Sequence, residues 1–270
     1  RLLALSVPLN GLDNKGSPAL VHACGQGQMA LVLLLLAHGA QVNLPAANGV
    51  TPLWAAISQG HQDILQALLE QQADANQAVA GFSPLILASR SGRVEMVGRL
   101  LEYGADITAT DSQEQTALHA AAAYLASDAA RLDAVILIDT LIRAGSAVAC
   151  PDKFGQTVMH LLCGAGLQKG QTLKEGLVLS AFDRVFQESP PVDALDARGF
   201  TALHHAAARG YNQLAARLLR AGADRQLRDN LGRSASDFAV MGGFSETADL
   251  LQDKPERIDI ASLLIRKDQP

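Results

Sequence analysis

Two groups of histidine and cysteine residues have the types that could bind a metal ion or transfer a proton. His204 and His205 are adjacent, and His160 and Cys163 lie one helical turn apart, with Cys150 upstream. Zinc sites use such ligands, but adjacent helical positions point in different directions, whereas positions three or four apart share a face. No second histidine or cysteine pair completes either group. We therefore expect both groups to be structural and predict no catalytic residue, metal or cofactor.

Other catalytic patterns also fail to appear. The sequence has no phosphate-binding glycine loop, dinucleotide-binding fingerprint or G-x-S-x-G motif in a strand–turn–helix context. Its recurring carboxylates stand where a short acidic side chain organises a turn; they are Asp111, Asp152, Asp196 and Asp229. The chain is therefore predicted not to be an enzyme.

The histidines belong to a phrase that recurs along the chain. Clear copies are "GVTPLWAAISQG" from Gly49, "GFSPLILASRSG" from Gly81 and "GFTALHHAAARG" from Gly199. Less regular copies begin at Gly16, Glu114, Gly155 and Gly232, which brings the number to seven. Gly16 to Gly49 and Gly199 to Gly232 each span 33 residues. A fixed spacing of this size indicates an array of small structural repeats.

Units of this length that carry T-P-L-H, then A-A-x-x-G, then L-L-x-x-G-A-D resemble ankyrin repeats. The resemblance implies an all-α ankyrin-repeat solenoid, in which helix–turn–helix units with hairpin loops form an elongated right-handed stack. It also implies that His204, in the position of His119, hydrogen-bonds between adjacent repeats. His160 lies next to that position in the alignment. His205 lies one step round the helix and is expected to be structural, with ligand contact as the alternative.

The domain boundaries follow from the repeat pattern. We expect an ankyrin repeat domain over residues 1–253 and a C-terminal extension, a short helix or tail, over 254–270. The domain begins with a partial repeat at 1–12, and full repeats start near residues 13, 46, 78, 111, 152, 196 and 229.

Local chemistry agrees with the repeat. A threonine or serine followed by proline, at 51–52 and 83–84, supplies a helix cap and the dihedral of a first helical position. Leucine pairs such as Leu218 and Leu219 are suited to filling the layer between units. Gly104 and Gly222 stand where a left-handed helix end is expected.

The fourth and fifth units are longer than the others. Their extra residues fall within "YLASDAARLDA" and "LQKGQTLKEGLVLSAF", between the two helices of each unit. We expect the insertions to lie side by side on one edge of the stack. Neutral drift, which turns tolerate, and a functional edge both explain them.

Composition narrows the class of partner and the compartment. The net charge of −5 argues against a nucleic-acid-binding surface. Three cysteines without framework spacing favour free thiols in a reducing compartment. The longest apolar run, "MALVLLLLA" from Met29, is too short to span a bilayer and is expected to be a buried helix. We expect a cytoplasmic protein, with the nucleus or a host cytosol as alternatives.

The resemblance implies that function lies on the concave surface formed by loop tips and first helices. We predict a monomeric scaffold that binds a protein partner there. Residues 196 to 233 contain seven arginines and three aspartates, and this excess of positive charge favours an acidic segment as the partner. The alternative is a recruiting arm of a larger protein, such as a ubiquitin-ligase adaptor or a bacterial effector. The predicted binding residues are Phe82, Arg90, Tyr124, Phe154, Arg198, Phe200, Arg209, Leu231 and Arg233.

Overall fold

The computed structural model describes residues 9–125, 132–167 and 175–252. Within these ranges the chain forms fourteen helices and no strand, paired into seven helix–turn–helix units. The pairs are α1 Ala19–Gly25 and α2 Met29–Ala37, α3 Pro52–Gln59 and α4 Gln62–Glu70, α5 Pro84–Arg90 and α6 Val94–Glu102, α7 Ala117–Leu125 and α8 Leu132–Arg143, α9 Val158–Leu162 and α10 Glu175–Phe186, α11 Ala202–Arg209 and α12 Asn212–Arg220, α13 Ala235–Met241 and α14 Ser245–Leu251.

The units stack in chain order. Each first helix packs against the first helix of the next unit, from α1 on α3 to α11 on α13, and the second helices form a parallel series from α2 on α4 to α12 on α14. Contacts from one unit to the next build a solenoid with a continuous core, because one unit alone cannot bury its apolar faces. The predicted all-α ankyrin-type solenoid is confirmed.

The predicted helix starts are confirmed. Thr51 accepts a hydrogen bond from Trp54 N, Ser83 accepts one from Ile86 N, and both helices begin with proline. Gly104 and Gly222 have φ angles of 81° and 90°, in the left-handed region that glycine adopts without steric cost. Helix boundaries are therefore set by local chemistry at both ends.

The turn aspartates organise the hairpin loops as predicted. One carboxylate oxygen of each accepts backbone N–H groups from the residues two and four positions later. In Asp196 these donors are Arg198 N at 2.8 Å and Phe200 N at 2.9 Å. Asp111, Asp152 and Asp229 repeat the arrangement. Since these carboxylates are buried and bonded to the backbone, their role in the described loops is structural.

Hydrogen bonds also join consecutive loops. Ala47 N donates to Gly16 O and Ala197 N donates to Phe154 O, at 2.7 and 2.8 Å. Behind them, side-chain oxygens of Asn43 and Asn76 accept from backbone N–H groups of the following unit, at 2.8 and 2.7 Å. The loops therefore form one connected edge of the stack.

The core consists of alanine and leucine layers between the helices. Leu65, Leu68, Leu137 and Leu218 are fully buried, whereas the ring of Phe182 is the largest buried side chain. Small side chains on the first helices permit close helix–helix approach, as expected for repeat packing.

The helix that contains the long apolar run is only partly buried, so that expectation was wrong. In α2, Val32 and Leu35 are buried, but Leu31, Leu33 and Leu34 are 38%, 49% and 44% exposed. The physical reason is that α2 packs against α1 and α4, and these two neighbours cover only part of its circumference.

The fifth unit departs from the others. Its first helix, α9, has five residues, whereas α7 has nine and α11 has eight. Residues 126–131 of the fourth-unit insertion, residues 168–174 of the fifth-unit insertion and the predicted extension at 254–270 lie outside the described residues.

Candidate partner-binding surface

The repeated histidine position is occupied three times in the described chain, by His119, His160 and His204. In each case the N–H of the preceding cap threonine donates to Nδ1, at 3.3, 3.0 and 3.2 Å. Nε2 must then carry the proton and donate to a carbonyl of the next unit. The carbonyl acceptors are Gln156 O, Phe200 O with Ala194 O, and Arg233 O, at 3.0 to 3.2 Å.

These histidines are structural links between repeats. Each ring is at most 1% exposed, and burial lowers the pKa of all three below the usual value for histidine, which keeps the rings neutral. The prediction for His119 and His204 is confirmed. The alignment had placed His160 beside this position, and the structure corrects that assignment: His160 occupies the position itself.

His205 belongs to a different contact, which the sequence analysis missed. Its Nε2 lies 3.0 Å from Oδ2 of Asp196, and both side chains are buried. The first unit repeats the arrangement with His22 and Asp13, at 2.8 Å. The shared nine-residue separation was a signal that could have identified the pair. Because the ring of His205 is buried against its own chain, it is not a ligand-contacting side chain in this structure.

The cysteines near His160 do not form a metal cluster. Cys163 is fully buried, and burial raises the pKa of its thiol, so the protonated form is favoured. Across the described ranges, no three His, Cys, Asp or Glu side chains are grouped closely enough to hold a metal ion.

The nine predicted binding residues lie on loop tips or at the ends of first helices. Arg90, Phe154, Arg198 and Leu231 are exposed. The remaining five are partly buried; they are Phe82, Tyr124, Phe200, Arg209 and Arg233. The set therefore divides into four exposed and five partly buried side chains, and Arg90 and Arg198 in the exposed group also lie over the rings of Phe82 and Phe200.

Phe200 and Arg233 belong to a cluster of rings and guanidinium groups between the sixth and seventh units. The ring of Phe200 lies 4.9 Å from that of Phe238, and Arg198 lies over Phe200 at 4.7 Å. Arg233 lies 4.5 Å above Phe238 and forms two hydrogen bonds to Asp229 Oδ2, at 2.8 and 2.6 Å. Phe238, which the sequence analysis did not select, completes the cluster.

Two other arginines form hydrogen bonds or ion pairs with neighbouring units. Arg209 donates to Leu167 O at 2.7 Å, and Arg217 on α12 forms an ion pair with Asp183 on α10. Arg217 thus belongs to the second-helix layer, away from the loop tips. The excess of arginine between 196 and 233 therefore overstates the positive charge that the tips present.

Large apolar side chains remain exposed on the tips and first helices of the last units. Phe154 is 51% exposed, Leu231 is 75% exposed, and Met241 at the end of α13 is 68% exposed. These side chains are accessible to a partner on the surface of the loop tips and first helices.

A pocket of about 430 Å³ opens on the same surface, between the fourth and fifth units. Its walls are made of loop residues and the ends of first helices: Gln115, Ala122, Ala123, Asp152, Phe154, Gln156, Leu161, Ala165, Gly166 and Leu167. In the described parts of the chain, no helix has the length and apolar character required to cross a membrane.

Sequence comparisons agree with this architecture. The family profile described as "Ankyrin repeats (3 copies)" matches residues 1–79 and 126–262, and the profile "Ankyrin repeats (many copies)" matches residues 85–132. In structure, the chain is similar to the crystal structure of the human ASB11 ankyrin repeat domain, with a TM-score of 0.70 and 24% identity, over 88% of this chain and 99% of that one.

Curated relatives are longer proteins. The chain is 30% identical to potassium channel AKT2/3 from Arabidopsis thaliana over 51% of its length. It is 26% identical to human transient receptor potential cation channel subfamily A member 1 over 78% of its own length. It is 37% identical to neurogenic locus notch homolog protein 1 from Xenopus tropicalis over 45% of its own length. These alignments cover 16%, 18% and 5% of the respective relatives.

Proposed function

Because the chain belongs to the ankyrin repeat family, whose repeats are generally protein-interaction modules, we propose that it is a non-catalytic scaffold that binds a protein segment on its concave surface. By this we mean the surface of the loop tips and the exposed face of the first helices. One observation carries the proposal: Phe154, Leu231 and Met241 are half to three-quarters exposed on this surface. Aromatic and methionine side chains, such as Phe154 and Met241, are enriched at protein interfaces.

Charge supports an acidic segment as the partner. Arg90 and Arg198 are exposed on the same surface, while the aspartates of the sixth and seventh loops are buried and hydrogen-bonded to backbone N–H groups. A bound carboxylate would therefore meet exposed guanidinium groups. Complementary charge of this kind acts mainly on the association rate and weakens as salt rises.

A peptide-display experiment tests the proposed surface. Peptides selected from a random displayed library on the full chain are measured against two triple variants by surface-binding kinetics. One variant carries Phe154→Ser, Leu231→Ser and Met241→Ser on the concave surface. The comparison variant carries Leu33→Ser, Leu34→Ser and Ile136→Ser on second helices, where the side chains are also exposed, at 49%, 44% and 49%.

The concave variant is expected to lose about tenfold or more in affinity, mostly through faster dissociation, and the second-helix variant to bind as the unsubstituted chain does. Affinity should also fall when ionic strength is raised. The opposite result, with binding lost only in the second-helix variant, would place the interaction on the other side of the stack.

A further inference from the structure

The pocket between the fourth and fifth units arises because α9 ends early. Cys163 already caps α9, and Gly164 turns the chain with a φ of 97°. In the sixth unit, α11 continues to Arg209 and its left-handed cap is Gly210. The fifth unit therefore lacks the last turn of its first helix.

The missing turn removes side chains that other units place on the concave surface. Just before the helix-ending glycine, the second unit carries Ser58 and Gln59, and the third carries Arg90 and Ser91. The fifth unit has only Gly164 and Ala165 there, both buried. Its neighbour in the fourth unit presents the small side chain of Ala123, which is exposed. The pocket therefore forms because the backbone turns early and the residues around it have small side chains.

The walls of the pocket combine apolar surface with amide groups. The floor consists of Leu161 and Ala165, and Phe154 stands at the mouth with half of its surface exposed. Gln115 and Gln156 supply side-chain amides, which can both donate and accept hydrogen bonds. Gln115 Nε2 is already held by Asp152 Oδ2 at 3.1 Å, which fixes one wall. A volume of about 430 Å³ lies in the range of pockets that enclose ligand groups.

The charges around the pocket differ between its two sides. Lys153 and Arg198 are exposed on the loop tips of the fifth and sixth units. On the side of the fourth unit, the loop tip presents the exposed Glu114. The one carboxylate in the pocket wall, that of Asp152, is buried and accepts from Phe154 N and Gln156 N as well as from Gln115. The exposed basic groups therefore lie on the fifth and sixth tips and the exposed acidic group on the fourth, so an acidic segment is favoured over the fifth and sixth tips.

We propose that this pocket is the specificity site of the scaffold and receives a bulky apolar side chain, aromatic or leucine-sized, from an extended peptide of the partner. The neighbouring residues of that peptide are acidic and lie towards Lys153 and Arg198. This inference rests on the proposed concave-surface function and adds to it where the partner is anchored and which sequence it carries. A buried anchor with a charged flank is a common arrangement of interface hot spots.

The test uses peptides enriched from a random displayed library on the full chain. We expect a consensus with one large apolar residue and at least one Asp or Glu within a few positions. Synthetic versions are then measured by fluorescence anisotropy in three forms: the enriched sequence, its apolar residue replaced by alanine, and its acidic residues replaced by amides. The apolar replacement should abolish measurable binding, and the amide replacement should remove most of the salt dependence.

Filling the pocket provides the matched comparison. Ala123→Phe places a ring into the pocket from an exposed position, and Ser58→Phe adds the same ring at the equivalent exposed position of the second unit. We expect Ala123→Phe to weaken the enriched peptide about tenfold or more and Ser58→Phe to change it less than about twofold. Phe154→Ala, which alters only the mouth, should weaken binding in the same direction, so the result does not depend on how well Ala123→Phe folds.

Each outcome bears on one proposal. Enrichment of peptides without a large apolar residue, no enrichment at all, or unchanged binding in both Ala123→Phe and Phe154→Ala overturns the pocket proposal. If the concave triple variant still loses binding while Ala123→Phe does not, the concave function stands and only the pocket is wrong. Binding lost only through second-helix substitutions overturns the concave function itself.

Discussion

At the scale of single residues, the buried histidines hold neighbouring repeats together through both ring nitrogens. Removing the ring leaves the backbone N–H of the cap threonine without its acceptor. The carbonyl of the next unit loses one donor but keeps its hydrogen bond from the loop aspartate N–H. An unpaired buried polar group costs free energy, about 1–3 kcal/mol. This explains why a polar residue is retained between alanine and leucine layers.

We therefore predict that His119→Ala or His204→Ala lowers the free energy of unfolding by about 1–3 kcal/mol, measured by urea denaturation. His38→Ala is the control, because the His38 side chain is exposed and its ring is hydrogen-bonded to Leu34 O of its own helix end, at 2.8 Å, rather than to a neighbouring unit in the described residues. Equal stability of all three variants would show that the inter-repeat hydrogen bonds contribute nothing.

The same histidines predict how stability depends on pH. Burial lowers the pKa of His119, His160 and His204, so the unfolded chain binds protons more readily than the folded chain below about pH 6.5. Stability should then be constant above that pH and fall as the pH is lowered through it. Urea midpoints at pH 7.5 and pH 5 measure the effect, and a midpoint that rises on acidification would contradict it.

Asp196 contributes in a separate, more acidic range. Burial alone would raise the pKa of its carboxyl, but hydrogen bonds from His205, Phe200 N and Arg198 N outweigh burial and lower the pKa to about 2. A depressed carboxyl pKa stabilises the fold above the unfolded value near 4, and this stability is lost as the pH falls towards 2. The loss near neutral-to-mild acid is therefore assigned to histidine, not to Asp196.

At the scale of elements, the glycine after the first helix of the third unit is needed for two reasons, its left-handed backbone and its close contact with the next unit. Gly92 has a φ of 66°, and a Cβ built there would lie 2.2 Å from the ring of Tyr124 in the next unit. Gly243 occupies the same repeat position in the seventh unit, with a φ of 75°, but no atom lies within 4 Å of its Cβ direction. Substituting Gly243 therefore measures the cost of backbone strain alone, whereas substituting Gly92 adds the cost of disturbed packing between units.

Gly92→Ala is predicted to destabilise the chain by about 1–3 kcal/mol more than Gly243→Ala. Both substitutions incur the cost of a left-handed alanine, about 1 kcal/mol, and only the first also displaces a packed ring. Thermal or urea unfolding of both variants measures the difference. Equal losses would mean that Tyr124 moves aside without cost.

The elements also show how far the sequence alone could predict the structure. The spacing of Thr51, Pro52 and the glycines predicted helix starts and ends because these signals act locally. The early end of α9 was not predicted, since the unit retains a glycine at the expected position and carries a second one, Gly164, two residues before it. Which glycine ends the helix depends on packing against neighbouring units. The pocket exists because α9 ends at the earlier glycine, so the spacing of residues in the sequence could not predict it.

The predicted surface residues show the same limit. Repeat position correctly indicated which side chains lie at tips. However, Phe200 contacts Phe238 of the following unit, and Arg233 contacts Asp229 of its own loop. Such contacts join residues about 30 or more apart in sequence or depend on one rotamer, so a position in the repeat cannot reveal them. Phe154, without such a ring partner in the described structure, is the sharper probe of binding.

At the scale of the whole molecule, each unit in the described chain packs only against its neighbours, so the chain has no single central core around which it must be compact. A compact protein of this length would have a radius of gyration of about 18 Å. Because the units are added along one direction, each in contact with the next, the chain should exceed that value by several ångströms.

Small-angle scattering of the full chain tests this expectation. We expect a distance distribution with an extended tail, and a forward intensity that corresponds to one chain and stays proportional to concentration. A compact monomeric protein of similar mass serves as the control for the instrument and the mass scale. A symmetric distribution at the compact radius would contradict the solenoid in solution. A mass of two chains would contradict the predicted monomer. If the Ala123→Phe variant then returned to the mass of one chain, a second copy of the chain would be the occupant of the pocket.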